Sequence, residues 1–223
     1  MLPFDSMYVF EPHIVSLYSS AALAWLLLAL LSCIVITRIA YPPFLHDCLA
    51  VVFSKITRRY SDTTRLTPVV FSHLFLLGTL SLCLWLCLYT AGPLRWLHYG
   101  LIAGLISAWL LLRFLITRFL GYVFSIRHEA QAVQEDSLSL LMLVSLLFYA
   151  VCCVAPLMPV QKVLPMIAAG IIALYLIVLT GKMLVTYARS LKMLFYIVLY
   201  ILTLEIIPLT MLYGVASQLC LIV

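Results

Sequence analysis

The chain has 223 residues, 66% of them hydrophobic and only 9% charged, with a mean hydropathy of +1.20 and a formal net charge of +5. A soluble domain is about half apolar and about a quarter charged, so this composition excludes a soluble fold and makes lipid the solvent for much of the chain. The seven cysteines are an odd number without framework spacing, which excludes a disulfide scaffold.

The first twenty residues, MLPFDSMYVFEPHIVSLYSS, lack a positive leading region, and no cleavable signal peptide is expected. A membrane-crossing helix needs about 20 apolar residues, because the hydrocarbon layer is about 30 Å thick and a helix rises about 1.5 Å per residue. Six runs meet that length: Val15–Ile36, Thr67–Tyr89, Leu97–Leu120, Leu138–Pro159, Val163–Val185 and Leu194–Ala216. Strands are not expected, since alternation is absent and open sheet edges in lipid cost several kcal/mol per unpaired group. The predicted fold is a single all-α polytopic membrane domain of six spans.

Lysine and arginine orient it. With the N-terminus outside, eleven of the thirteen basic residues fall at cytoplasmic segments, and only Arg95 and Lys162 fall outside. The expected topology places both termini on the periplasmic side. Tyr18, Tyr89, Trp96, Tyr99 and Tyr213 would mark the outer interface, and Tyr41, Tyr122 and Tyr187 the inner one. Cys220-Leu-Ile-Val matches a prenylation pattern, but valine is atypical there and this end is predicted outside.

After the first span, Pro42-Pro43 ends the helix. From Phe44 to Tyr60 the apolar residues gather on one half of a helical wheel, predicting an amphipathic helix in the cytoplasmic interface; Arg59 alone breaks the pattern clearly. The same surface could dock a partner or anionic lipid. On the second span, Cys83 and Cys87 lie one turn apart with no histidine or carboxylate nearby. They read as small apolar packing residues, and no metal or cofactor is expected. His73 lies near the inner end of this span and Arg113 near that of the third. A His73–Arg113 polar cluster is one possibility, although Arg113 can also snorkel to the interface. The third span carries Gly100 and Gly104, a G-x-x-x-G pair that favours close helix packing within the chain or with a partner. Glu135 and Asp136 precede the fourth span, where acids suit a helix N-terminus. The two three-span halves have opposite topology, as in inverted repeats, but share no sequence similarity.

The last span contains the residue hardest to explain. Glu205 lies about 20 Å in from Lys192, where a charge costs at least about 2.5–3.5 kcal/mol. It can hold its proton, or face other helices. Pro208 lacks an N–H and frees the carbonyl of Leu204, placing a carboxyl beside a kink. On an α-helical wheel Tyr196, Tyr200, Thr203 and Thr210 share one side, and Glu205 points nearly opposite. Depth suggests Thr79, Ser81, Tyr149 or Tyr175 as its partners, with no basic residue at that level. Nothing supports nucleophilic catalysis, since the sequence offers His46-Asp47 no serine or cysteine nucleophile beyond neighbouring Cys48, and no nucleic-acid motif is present.

Phe195-Tyr196, Leu199-Tyr200 and Glu205-Ile-Ile-Pro208-Leu, together with RIAYPPF (38–44) and LGYVFSI (120–126), resemble an uncharacterised integral-membrane family of the Bacteroidota, a domain of unknown function. The resemblance covers nearly the whole chain. It implies a bacterial inner-membrane location and no activity, and it points to the C-terminal Tyr/Glu/Pro segment. The expected role is a non-enzymatic subunit or accessory factor of a larger membrane complex, in protein export or envelope assembly, with the bilayer and other integral membrane proteins as partners. The alternative is a small proton- or ion-coupled transporter using Glu205.

Overall fold

A computed structural model describes residues 21–53, 66–88, 96–155, 160–187, 191–207, 210 and 214. Every regular element among them is helical: α1 (Ala21–Ala40), α2 (Phe44–Phe53), α3 (Leu66–Leu88), α4 (Trp96–Val123), α5 (Arg127–Val154), α6 (Val160–Tyr187) and α7 (Leu191–Tyr200), which runs straight into a π-helix at Ile201–Ile206. Five of them, α1, α3, α4, α5 and α6, are long and apolar enough to cross a membrane. The sixth expected run is represented by a shorter apolar helix, Met193–Thr203. The expected start of the first span, the second half of the interfacial helix, Tyr18, Tyr89, Tyr213 and Pro208 lie outside the described residues.

The bundle is organised around α3, which packs on α1, α4, α5 and α6. Its contact with α1 is the most extensive, and the sequence provides for it at Gly78. A Cβ placed there would collide with Leu30 Cδ2, so the missing side chain makes room for Leu30 against α3. Side chains turned away from the bundle are large and apolar, among them Trp25, Phe119, Ile177 and Val185. Such a surface suits lipid and would be unstable in water.

Where α1 ends, Tyr41 N–H donates to Thr37 O and Phe44 N–H to Tyr41 O, a turn through Pro42-Pro43 that starts α2 at once. The helix α2 then lies against α5, burying Phe44 and Cys48 while Leu49 stays exposed. Its apolar half is therefore divided between the bundle and the surroundings.

The fourth span begins earlier than expected. Helix α5 starts at Arg127, because its polar first turns continue the same helix as the apolar run. Glu135 and Asp136 therefore stand inside the helix, in place of the predicted N-terminal position. Only Phe124, Ser125 and Ile126 separate α4 from α5. Ser125 takes a left-handed conformation (φ 57°), and Ile126 N–H donates to Gly121 O at 3.0 Å. Gly121 is required here as well, since a Cβ would stand 2.8 Å from Ala130 Cβ. This hairpin sets the register of α4 against α5: Arg113 and Ser137 each lie twelve residues from Ser125, and so at matching depth.

Candidate functional site

A polar cluster is buried within the largely apolar bundle. Arg113 on α4 is buried, and its Nη2 lies 2.5 Å from Glu205 Oε1 on the π-helix, an ion pair with both side chains sealed from solvent. The expectation of no basic residue at the depth of Glu205 is thus corrected. The reason is direction: Arg113 is about ten residues, or about 15 Å, from the end of α4, and its stem runs across the bundle instead of along it. It neither snorkels nor meets His73. His73 is exposed, and its Nδ1–H donates to Val69 O at 2.7 Å on its own helix.

Three hydroxyls surround the pair. Tyr175 on α6 accepts from Arg113 Nη2 at 3.3 Å and donates to Glu205 Oε1 at 3.2 Å. Tyr200 accepts from Arg113 Nε at 3.2 Å and Nη2 at 3.0 Å, and shares a 2.9 Å hydrogen bond with Ser137 Oγ on α5. Arg113 also lies over two rings, with Cζ 5.7 Å from the centroid of Trp109 and 5.9 Å from that of Tyr200, within cation–π range. Five helical elements thus contribute to one cluster. Among the described residues, Arg113 Nη1 and Glu205 Oε2 have no hydrogen-bond partner.

The backbone places Glu205 there. An α-helix turns about 100° per residue, so residues five apart point about 140° from each other. That is why an α-helical wheel sets Glu205 opposite Tyr200. The segment Ile201–Ile206 is a π-helix, and Ile207 N–H accordingly donates to Leu202 O, five residues back. The wider turn brings Glu205 beneath Tyr200, onto the same face. Pro208, which has no N–H to give, follows immediately in sequence.

The remaining expected partners are elsewhere. Thr79 donates to carbonyls of Phe75 and Leu76, Ser81 to Leu77 O, and Tyr149 to Leu27 O. Tyr175 alone of the four reaches Glu205. Thr203 and Thr210 donate to carbonyls of their own helix. Tyr196 is buried beside the site, its ring 6.1 Å from that of Tyr200 and 6.2 Å from that of Phe124, while its hydroxyl has no partner among the described residues. Gly100 and Gly104 face outward, and a methyl group added at either would meet nothing within 4 Å, so they pack against no helix of this chain among the described residues.

A second buried pair goes beyond the sequence expectations. Asp136 Oδ2 on α5 lies 3.0 Å from Lys182 Nζ on α6 and accepts from Tyr187 OH at 2.9 Å. Tyr187, expected at the inner interface, is turned to this carboxylate. Asp136 adjoins Ser137 in sequence, so the two polar clusters lie at neighbouring depths on α5. A sequence signal exists, since Asp136 and Lys182 are both near ends of apolar runs facing the same side of the membrane. Among the described residues, no group of three or more His, Cys, Asp or Glu side chains could hold a metal ion.

A family model, Domain of unknown function (DUF4271), matches residues 23–216. The chain belongs to this family. The DUF4271 match contains every residue of both buried pairs, from Arg113 to Glu205. No curated protein and no solved structure matches the chain.

Proposed function

We propose that this DUF4271 chain is a six-span, non-enzymatic protein of the bacterial inner membrane, with both termini periplasmic and α2 at the cytoplasmic interface, and that it is a proton-coupled transporter. The observation that carries the coupling is Glu205, a buried carboxylate whose Oε1 serves Arg113 and Tyr175 while Oε2 has no partner among the described residues. A proton arriving at Oε2 makes Glu205 a neutral acid. The Arg113 charge is then uncompensated in a low-dielectric interior and must find another anion or draw its helices into a new arrangement. Because α4, α6 and the π-helix meet at this pair, that rearrangement moves three elements together. The second buried pair supports a relay, since proton paths in membranes use several ionisable groups.

Trp109 gives the test, because its ring lies against Arg113. In a variant keeping Trp109 as the sole tryptophan, in lipid nanodiscs, fluorescence should titrate with pH, and an infrared band of a protonated carboxyl should appear in parallel. Glu205→Gln should abolish both at unchanged abundance. A fluorescence titration that persists in Glu205→Gln would reject the proposal.

A second reading, a subunit of a larger membrane complex, is favoured by Gly100 and Gly104. They present a small-residue stripe to the outside of the bundle, where another helix could approach closely. Extraction from native membranes in mild detergent, with companions identified by mass spectrometry, tests it. A stoichiometric partner lost on Gly100→Leu with Gly104→Leu supports it, and a particle of this chain alone rejects it.

A further inference from the structure

Two cavities meet at the end of the bundle that carries the α4–α5 hairpin. The larger, about 560 Å³, lies between α2, α3, α4 and α5, and the smaller, about 320 Å³, between α4 and α5. Arg118, Gln131 and Gln134 line both, so the two form one recess with Arg118 at the junction. Arg127 walls the smaller part; His73 and Glu135 wall the larger.

Among the described residues that line it, the recess has an excess of positive charge, with two guanidinium groups against one carboxylate. Each guanidinium is held by an aromatic face, Arg118 with Cζ 4.5 Å from the Phe114 centroid and Arg127 with Cζ 4.8 Å from the Tyr122 centroid. Neither has a carboxylate within ion-pair distance among the described residues. Stacking leaves the in-plane N–H donors of an arginine available, and those donors match phosphate oxygens. Gln131 and the buried Gln134 add amide donors, and Gln134 can be oriented by the fold before any ligand arrives. The deeper wall, one turn and more toward the middle of the bundle, changes character to Phe114, Leu138 and Met142.

The geometry points to a binding site for an anionic phospholipid, its phosphate between Arg118 and Arg127 and its acyl chains along Phe114, Leu138 and Met142. The site stands on residues separate from the Arg113–Glu205 pair, so it does not depend on the transport reading. Phosphate chemistry alone would also admit a free phosphate; the apolar inner wall selects the lipid. Basic recesses between helices at a membrane boundary are suited to such headgroups.

The test uses the full chain, purified and stripped of lipid in a neutral detergent. Phosphatidylglycerol, phosphatidylcholine and inorganic phosphate are titrated separately, with binding read by native mass spectrometry and by the melting temperature. Phosphatidylglycerol should bind and raise the melting temperature, while the other two do neither. Arg118→Gln with Arg127→Gln should weaken phosphatidylglycerol by roughly twenty-five-fold, two cations at about fivefold each. Should that double variant fail to fold, the wild type still decides, because its binding must fall as salt rises. Equal binding of phosphatidylcholine, or salt-independent binding, would overturn the site. Saturation by inorganic phosphate alone would overturn the lipid and leave a soluble phosphate ligand.

Discussion

Tyr200 and Glu205 are five residues apart, and both reach the guanidinium of Arg113. The π-helix at Ile201–Ile206 makes that possible, and it predicts an asymmetry. Deleting Leu202, whose side chain is exposed, leaves Glu205 four residues after Tyr200, about 40° away on a regular α-helix and still on the inner face. Inserting an alanine after Leu202 leaves it six residues away, about 240° round, pointing outward. The deletion variant should retain the wild-type melting temperature within a few degrees, and the insertion should behave like loss of Glu205. Melting in nanodiscs decides it, and equal damage from both changes would count against the π-helix as the positioning device.

The pair itself should show strong coupling. Arg113→Met leaves a carboxylate with one tyrosine hydroxyl, and Glu205→Ala leaves a guanidinium among neutral partners. Each single change should cost about 3–5 kcal/mol, because it strands a buried charge. Arg113→Met with Glu205→Ala removes both charges and should cost less than the two single losses together, giving a coupling energy of about 1–3 kcal/mol in a double-mutant cycle. Glu205→Gln should cost less than Glu205→Ala, since an amide oxygen still accepts from Arg113 and Tyr175. Additive losses in the cycle would show that the two residues act independently.

The two close-packed and exposed glycine positions separate internal packing from assembly. At Gly78 a side chain would collide with Leu30, so Gly78→Val should cost about 1–3 kcal/mol, and Leu30→Ala should relieve part of it. At Gly100 and Gly104 there is open space, so leucine at both should not destabilise the isolated chain and should stabilise it by about 1–2 kcal/mol through helix propensity. Thermal melts of the purified variants provide the comparison. A large loss at Gly100 and Gly104 would mean that this face packs within the chain after all.

Much of this is legible in the sequence, and the failures have physical causes. Runs of about 20 apolar residues mark the five long helices to within a few residues at most ends, because lipid imposes length and composition together. The start of α5 at Arg127 escapes that reading because a helix need not end where its apolar run ends. Glu205 stands out as a buried acid, and Tyr175 can be matched to it by depth alone. The orientation of Glu205 toward Tyr200 cannot be read, because a wheel assumes 3.6 residues per turn and the chain departs from that over six residues. Sequence alone leaves Arg113 at the interface because a long side chain can reach water as easily as a partner; only the packing of α4 against α5, with Tyr175 and Tyr200 within reach of the guanidinium, decides which. The Asp136–Lys182 pair joins α5 and α6, and although both residues stand near ends of apolar runs, sequence alone does not set the register that brings them together.

That hairpin supplies the last prediction. Ser125 sits in the left-handed region, which costs a residue with a Cβ about 1–2 kcal/mol, while glycine carries an entropic cost of about 0.5–1 kcal/mol in return. Ser125→Gly should therefore stabilise the protein slightly, by up to about 1 kcal/mol. Gly121→Ala acts in the opposite sense, because the new methyl would lie 2.8 Å from Ala130 Cβ and force α4 and α5 apart at this contact. It should cost about 1–3 kcal/mol, and adding Ala130→Gly should restore most of the loss by removing the opposing methyl. The rescue is the informative arm. If Gly121→Ala with Ala130→Gly stays damaged by more than the roughly 1 kcal/mol that glycine costs inside a helix, the contact does not set the cost, and the register that aligns Arg113 with Ser137 must be held by something other than this close approach.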